Sequence, residues 1–117
     1  MNRITVTGRL TADAELRYTP EGSPVAEFRF AVRDDFLEKK ENRTVFVDVV
    51  VWGERAERIY KTLLKGKLIL IEGRLDIKIN KADSGKSYMN VCVYANEIEF
   101  MTTRAEDALE EKINPEG

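Results

Sequence analysis

Two aromatic residues six positions apart, Phe46 and Trp52, mark the residues of this chain best placed to do chemistry. They belong to the run 45–52, VFVDVVVW, where β-branched and aromatic residues dominate as they do in strands. Alternate side chains of a strand share a face, so Phe46, Asp48, Val50 and Trp52 fall together, and Val45, Val47, Val49 and Val51 fall opposite. The valines are expected to line a core. Two rings beside an acid exceed what packing requires of the other face, which becomes the candidate functional surface. The sequence contains no histidine, which removes Ser-His-Asp and Cys-His nucleophile chemistry and the commonest metal ligand. Its chemistry is therefore expected to be binding without catalysis and without a cofactor.

Other motifs fall away on inspection. Gly85-Lys86-Ser87 ends like a phosphate-binding loop, but the glycine required five positions earlier is replaced by Asn80. Asp34-Asp35 lacks further ligands for a hard metal ion and reads as a solvated turn. Cys92, the single cysteine, lies in the apolar run Val91-Cys92-Val93 and is expected to be a buried, inert thiol.

The elements that must position the aromatic face can be read outward from it. After Trp52, residues Ala56, Ile59, Tyr60, Leu63 and Leu64 recur at helical spacing and predict an amphipathic helix over 53–66. Glu54 with Arg58 and Glu57 with Lys61 add i,i+4 pairs, each worth ~0.2–0.5 kcal/mol on an exposed face. Gly66 stands where a left-handed cap is expected. Alternation resumes at 67–79, a strand expected to be buried on both faces in its first half, with Gly73 marking a bend or bulge. A turn at 81–86 returns the chain through 88–100, where Tyr88, Asn90, Cys92 and Tyr94 oppose Met89, Val91, Val93 and Ala95.

Upstream, residues 2–10 alternate as a half-buried strand in which Gly8 allows a bend or a close backbone approach. Residues 16–18 resume extended structure before the turn 19–24, TPEGSP. In the following strand, 25–33, Phe28, Phe30 and Val32 face inward while Glu27, Arg29, Ala31 and Arg33 face outward. The charged segment 34–43 breaks the pattern. Within it Phe36 either joins Leu37 in a small apolar cluster or stands exposed as a stacking platform.

With 117 residues the chain is one domain with a single core. It has no run of about 18 apolar residues to span a membrane and no signal-peptide pattern, so a cytoplasmic protein is expected. Net charge is −2, yet residues 1–101 carry 17 bases and 16 acids and residues 102–117 carry 2 bases and 5 acids. The expected division is a domain over 1–101 and a flexible acidic tail over 102–117. So balanced a body requires any basic groove to arise from local arrangement. Glutamine is absent while Glu, Lys and Arg are plentiful, a bias of heat-adapted proteins.

Five strands with one helix between the third and fourth give an all-β fold, the oligonucleotide/oligosaccharide-binding (OB) barrel, with the helix plugging one end. Small barrels of this kind hold single strands on the face of strands two and three, with rings for bases and Lys or Arg for phosphates. Phe46 and Trp52 lie on that face of strand three, and Arg29 and Arg33 on that of strand two. Trp52 can instead cap the barrel or pack on the helix, and the two arginines can be ordinary solvated positions.

In its order of segments the chain resembles the bacterial single-stranded DNA-binding protein family over about 2–101. The matching stretches are NRITVTGRL, ELRYTPEGSPVAEFRFAV, Val51-Trp52-Gly53, Ala56-Glu57, Leu64-Lys65-Gly66, Ile71-Glu72-Gly73-Arg74-Leu75 and Ala95-Asn96. The resemblance implies sequence-independent binding and protection of single-stranded DNA in replication, recombination and repair. It also implies a homotetramer built from dimers that pair through their first strands, here 2–7, with replication and repair proteins as further partners. Carried over by position, Phe36, Phe46 and Trp52 coincide with base-stacking positions and Arg17 and Lys65 with basic ones, while Arg29, Arg33 and Lys78 complete the expected phosphate contacts. Asn80 replaces an expected aromatic, and Asp48, Glu54 and Asp76 are acids where bases are usual. The usual acidic tip ending in Pro-Phe is replaced by Asn114-Pro115-Glu116-Gly117, so recruitment through such a tip is not expected. Two alternatives stand beside this reading. One is a dimeric bridging factor like primosomal replication protein N, which EGSPVAEFRF and residues 95–100 resemble; the other is an OB barrel whose aromatic face meets only protein.

Overall fold

The computed structural model describes residues 1–33 and 44–101. Phe36, the Asp34-Asp35 pair and the tail expected over 102–117 lie outside them. The elements run β1 (Ile4–Leu10), β2 (Glu15–Tyr18), β3 (Pro24–Arg33), β4 (Thr44–Trp52), α1 (Glu54–Ile59), a 3-10 turn (Tyr60–Thr62), β5 (Leu68–Lys81) and β6 (Ser87–Phe100). Neighbouring strands follow the order β1-β5-β6-β4-β3-β2, and β1 also pairs with β3. Five strands therefore form a ring, and the short β2 is an added sixth strand on the edge of β3.

Ring closure depends on one strand serving two partners. β1 pairs with β5 from Ile4 to Arg9 and with β3 only from Gly8 to Leu10. The crossing is at Gly8, where an added Cβ would lie 2.1 Å from the carbonyl oxygen of Ala31. Gly73 has the same role across the ring, its hypothetical Cβ lying 2.1 Å from the carbonyl oxygen of Tyr94. Beside it the β5–β6 register slips: Glu72 pairs with Glu97 and Gly73 with Ala95, leaving Asn96 as the extra residue of a bulge. Both glycines that the sequence marked for bends or close approach are sites where backbone meets backbone.

The ring interior is filled by alternate residues of each strand, among them Leu10, Phe28, Phe30, Val47, Val49, Val51, Ile69, Ile71 and Val93. Ala56 and Leu63 join this cluster from the helical segment. One of the valine expectations is corrected and another is qualified. Val45 is 44% exposed, because β6 runs beside β4 only from Asp48 to Val50 and the wall ends before Val45. Val50, placed on the outer face, is nonetheless buried with Val25 and Cys92, against which Tyr94 packs. That parallel β4–β6 contact joins segments more than forty residues apart.

The helix is shorter than its apolar spacing suggests. After Ile59 the chain tightens into the 3-10 turn, and Leu63 leaves helical geometry at φ −86°, ψ 78°. Leu63 consequently enters the core whereas Leu64 is 42% exposed. Neither anticipated i,i+4 ion pair forms among the described residues; Glu57 instead accepts a hydrogen bond from the Tyr18 hydroxyl at 2.9 Å. Gly66 adopts the expected positive φ, +86°. Along β5, Ile69 and Ile71 are buried while Leu68 and Leu70 are only half-buried, so the second face is less covered than its composition suggests. No described helix is long and apolar enough to cross a membrane.

Replacing Gly8 or Gly73 by alanine forces backbone apart at a strand crossing, an overpacking expected to cost at least about 1–3 kcal/mol. Urea unfolding should show a lower midpoint for each variant. A midpoint unchanged in both would contradict closure of the ring by backbone contact at these glycines.

Candidate functional site

Strand register assembles one continuous outer face. Val25, Glu27, Arg29 and Ala31 of β3 stand opposite Trp52, Val50, Asp48 and Phe46 of β4. Asp48 and Val50 in turn oppose Cys92 and Tyr94 of β6, which oppose Asp76 and Arg74 of β5. Arg17 of β2 extends the face beside Val25. Because partners in register point the same way, five strands contribute side chains to this surface.

Its floor is apolar and its relief is aromatic and charged. Val25, Val50 and Cys92 are buried, while Phe46 and Trp52 are 48% and 52% exposed at opposite ends of β4. The Arg29 guanidinium lies 5.2 Å from the centre of the Phe46 ring, within reach of cation–π attraction, and 3.7 Å from the Asp48 carboxylate. Arg17 forms an ion pair with Glu27. At the other end, Arg74 lies 5.7 Å from the centre of the Tyr94 ring.

Two hollows divide the face by charge. One, of about 290 Å³, has Asp13, Glu15, Glu27 and Asp48 among its lining residues together with Arg29 and Lys78. The other, of about 550 Å³, is lined by Trp52, Arg55, Arg74, Tyr94, Ala95 and Asn96, with no acid among the described residues.

The structure brings together Phe46, Trp52, Arg17, Arg29 and Lys78 of the residues singled out from the sequence. Arg17 and Arg29 are each matched by a carboxylate, which the sequence pattern alone did not reveal. Lys65 lies in the turn after the 3-10 segment, where its backbone N–H donates at 2.8 Å to Asp13, a residue that lines the acid-rich hollow. Arg33 pairs through its backbone with Thr44 at the limit of the described residues, and Phe36 lies beyond it. Arg55, Arg74, Tyr94 and Asn96 were missed as site residues. Hairpin symmetry held the signal: positions equidistant from Ser84 pair, from Lys81 with Ser87 to Arg74 with Tyr94.

A five-stranded ring with a short helix between its third and fourth strands, and with an aromatic, cationic outer face, has the architecture of the OB fold. The chain belongs to the single-strand binding protein family, whose model matches residues 1–101. It is 34% identical over 105 residues to a single-stranded DNA-binding protein of Oceanobacillus iheyensis, a match covering 89% of this chain and 65% of that protein. The single-stranded DNA-binding protein of Bacillus cereus is 37% identical over 105 residues, covering 89% and 62% of the two chains. Single-stranded DNA-binding protein A of Bacillus subtilis is 36% identical over 102 residues, covering 86% and 59%. The chain thus spans less than two thirds of the length of each of these relatives.

Cys92 occupies the floor of the face, and burial pushes its thiol up, with Lys78 acting in the opposite direction. The folded state therefore favours the neutral thiol. The stability this contributes is present below the unfolded thiol's pKa and is lost as pH rises through the alkaline range. A thiol-specific disulfide reagent at pH 8 should label Cys92 slowly in the native protein and rapidly after denaturant is added. Equal rates in both states would contradict the buried floor.

Proposed function

We propose that this protein binds single-stranded DNA without base specificity, using the outer face of β3 and β4. The observation that carries the reading is a pair of half-exposed rings, Phe46 and Trp52, on a strand whose neighbours supply arginines. An exposed ring stacks on any base because every base has a flat apolar face, while arginines take the phosphates between. The names of the relatives favour the same ligand. Phe46 and Trp52 are the principal stacking residues and Phe36 a further platform. Arg17, Arg29, Arg33, Lys65 and Lys78 are the phosphate contacts, with Arg17 and Arg29 held in check by their acids. Its role is the protection of exposed strands during replication, recombination and repair, within the cytoplasm.

The protein is further proposed to act as a homotetramer of dimers. Among the described residues, Ile4 to Thr7 of β1 pair only with β5, which leaves one strand edge to join its copy. Asn2 keeps that edge aligned: its side-chain amide donates to the Leu75 carbonyl at 2.8 Å, and its carbonyl accepts from the Leu75 N–H at 2.9 Å.

Binding of a labelled oligothymidylate, followed by fluorescence anisotropy, separates the two parts of this surface. Phe46→Ala should weaken binding by about 1–3 kcal/mol, the worth of one stacked base. Asp48→Asn should act in the opposite sense, because it releases Arg29 to a phosphate. Affinity should rise, and the salt dependence should steepen by up to about 0.7 as Arg29, no longer shared with its acid, engages phosphate fully. Absence of binding by the unaltered protein would overturn the proposal.

A further inference from the structure

The 550 Å³ hollow between Trp52 and Tyr94 differs from the rest of the face in how its cations are held. Arg29 and Arg17 each face a carboxylate, and an arriving phosphate must compete with it. Arg74 is instead set against the Tyr94 ring, a neutral partner that orients the guanidinium without cancelling its charge. Among the described residues neither Arg74 nor Arg55 forms an ion pair, and no acid lines the hollow. The contrast with the acid-rich hollow around Asp48 is one of sign, so a polyanion is drawn to the Trp52 end.

The shape of the hollow follows from the same local structure. Gly73 brings β5 and β6 backbones together, and the bulge at Asn96 breaks the alternation that Tyr94 would otherwise hand on. Bulges of this kind re-aim side chains beside sites. Here the result is that the half-exposed Trp52 ring, a tyrosine, two guanidinium groups and a carboxamide line a single concavity.

We propose that this hollow is the anchoring subsite for one nucleotide of the bound strand, with its base on Trp52, its phosphate on Arg74 and Arg55, and Asn96 at the base edge. The inference rests on the single-strand-binding reading above and adds residues to it. Tyr94 serves as the positioning residue for Arg74 and as the second apolar wall.

Arg74→Met keeps the aliphatic stem and removes the charge at an exposed position; Tyr94→Leu keeps bulk at a half-buried one. Both are compared with the unaltered protein and with Phe46→Ala, using labelled oligothymidylate across a series of salt concentrations and a thermal melt for each protein. Arg74→Met is expected to melt like the unaltered protein, bind more weakly, and show a log affinity against log salt slope shallower by about 0.7. A purely structural role for Arg74 would not flatten that slope. Tyr94→Leu is expected to bind more weakly by about 5- to 150-fold if ring and cation act together at a base. The proposal is overturned if Arg74→Met keeps both the affinity and the slope while Phe46→Ala weakens binding; the strand then crosses the face without entering the hollow, and the broader reading survives. Absence of binding by the unaltered protein overturns both.

Discussion

The fold turns on a contact between two stretches of backbone, Gly8 of β1 against Ala31 of β3. β1 can reach β3 while still paired with β5 only because no side chain occupies the space between them. That crossing turns an open sheet into a ring, and the ring gives Phe30, Val49, Ile69 and Val93 a common interior. Without closure, β3 and β4 would be the outer part of a flat sheet with two wet faces. With it, the inside is committed to packing and the outside is released for binding.

Release of the outer face is incomplete, and the incompleteness organises it. Where β6 runs beside β4, Cys92 and Tyr94 cover Val50, and a second small apolar cluster forms beneath the charged side chains. β4 therefore holds its rings at the ends and a buried valine between them. Charges are held in two ways: Arg17 and Arg29 are balanced by Glu27 and Asp48, whereas Arg74 is set against the ring of Tyr94. Exposed ion pairs are worth little to stability, a fraction of a kcal/mol to about 1. Their weight here lies in how strongly each cation remains able to attract a phosphate.

Much of this was legible from alternation. Val47, Val49 and Val51 face inward as their spacing requires, Phe46 and Trp52 face outward, and Phe28 and Phe30 occupy the core. The glycines at 8, 66 and 73 mark close approaches or a positive φ as their positions suggested. What escaped the sequence depends on partners distant along the chain. Period-two spacing puts Val50 outside but is silent about which strand will cover it, and helical spacing is silent about the tightening that sends Leu63 and Leu64 opposite ways. The pairing of Arg29 with Asp48 and the stacking of Arg74 on Tyr94 are cross-strand facts, readable only once register is known. For the hairpin, register follows from the turn around Ser84; for β3 and β4 the connecting segment lies outside the described residues, and its length does not set it.

Titration of the intrinsic fluorescence of Trp52 with oligothymidylates of increasing length, at low and at high salt, reports on stacking at the aromatic face itself, because this tryptophan is the only one in the chain. Stacking on Trp52 with phosphates on the neighbouring cations requires quenching that saturates with strand length and is displaced by salt, the combined signature of stacking and counterion release. Unchanged emission, together with no shift of the same oligonucleotides in a gel, would contradict it and leave the aromatic face as a surface for protein.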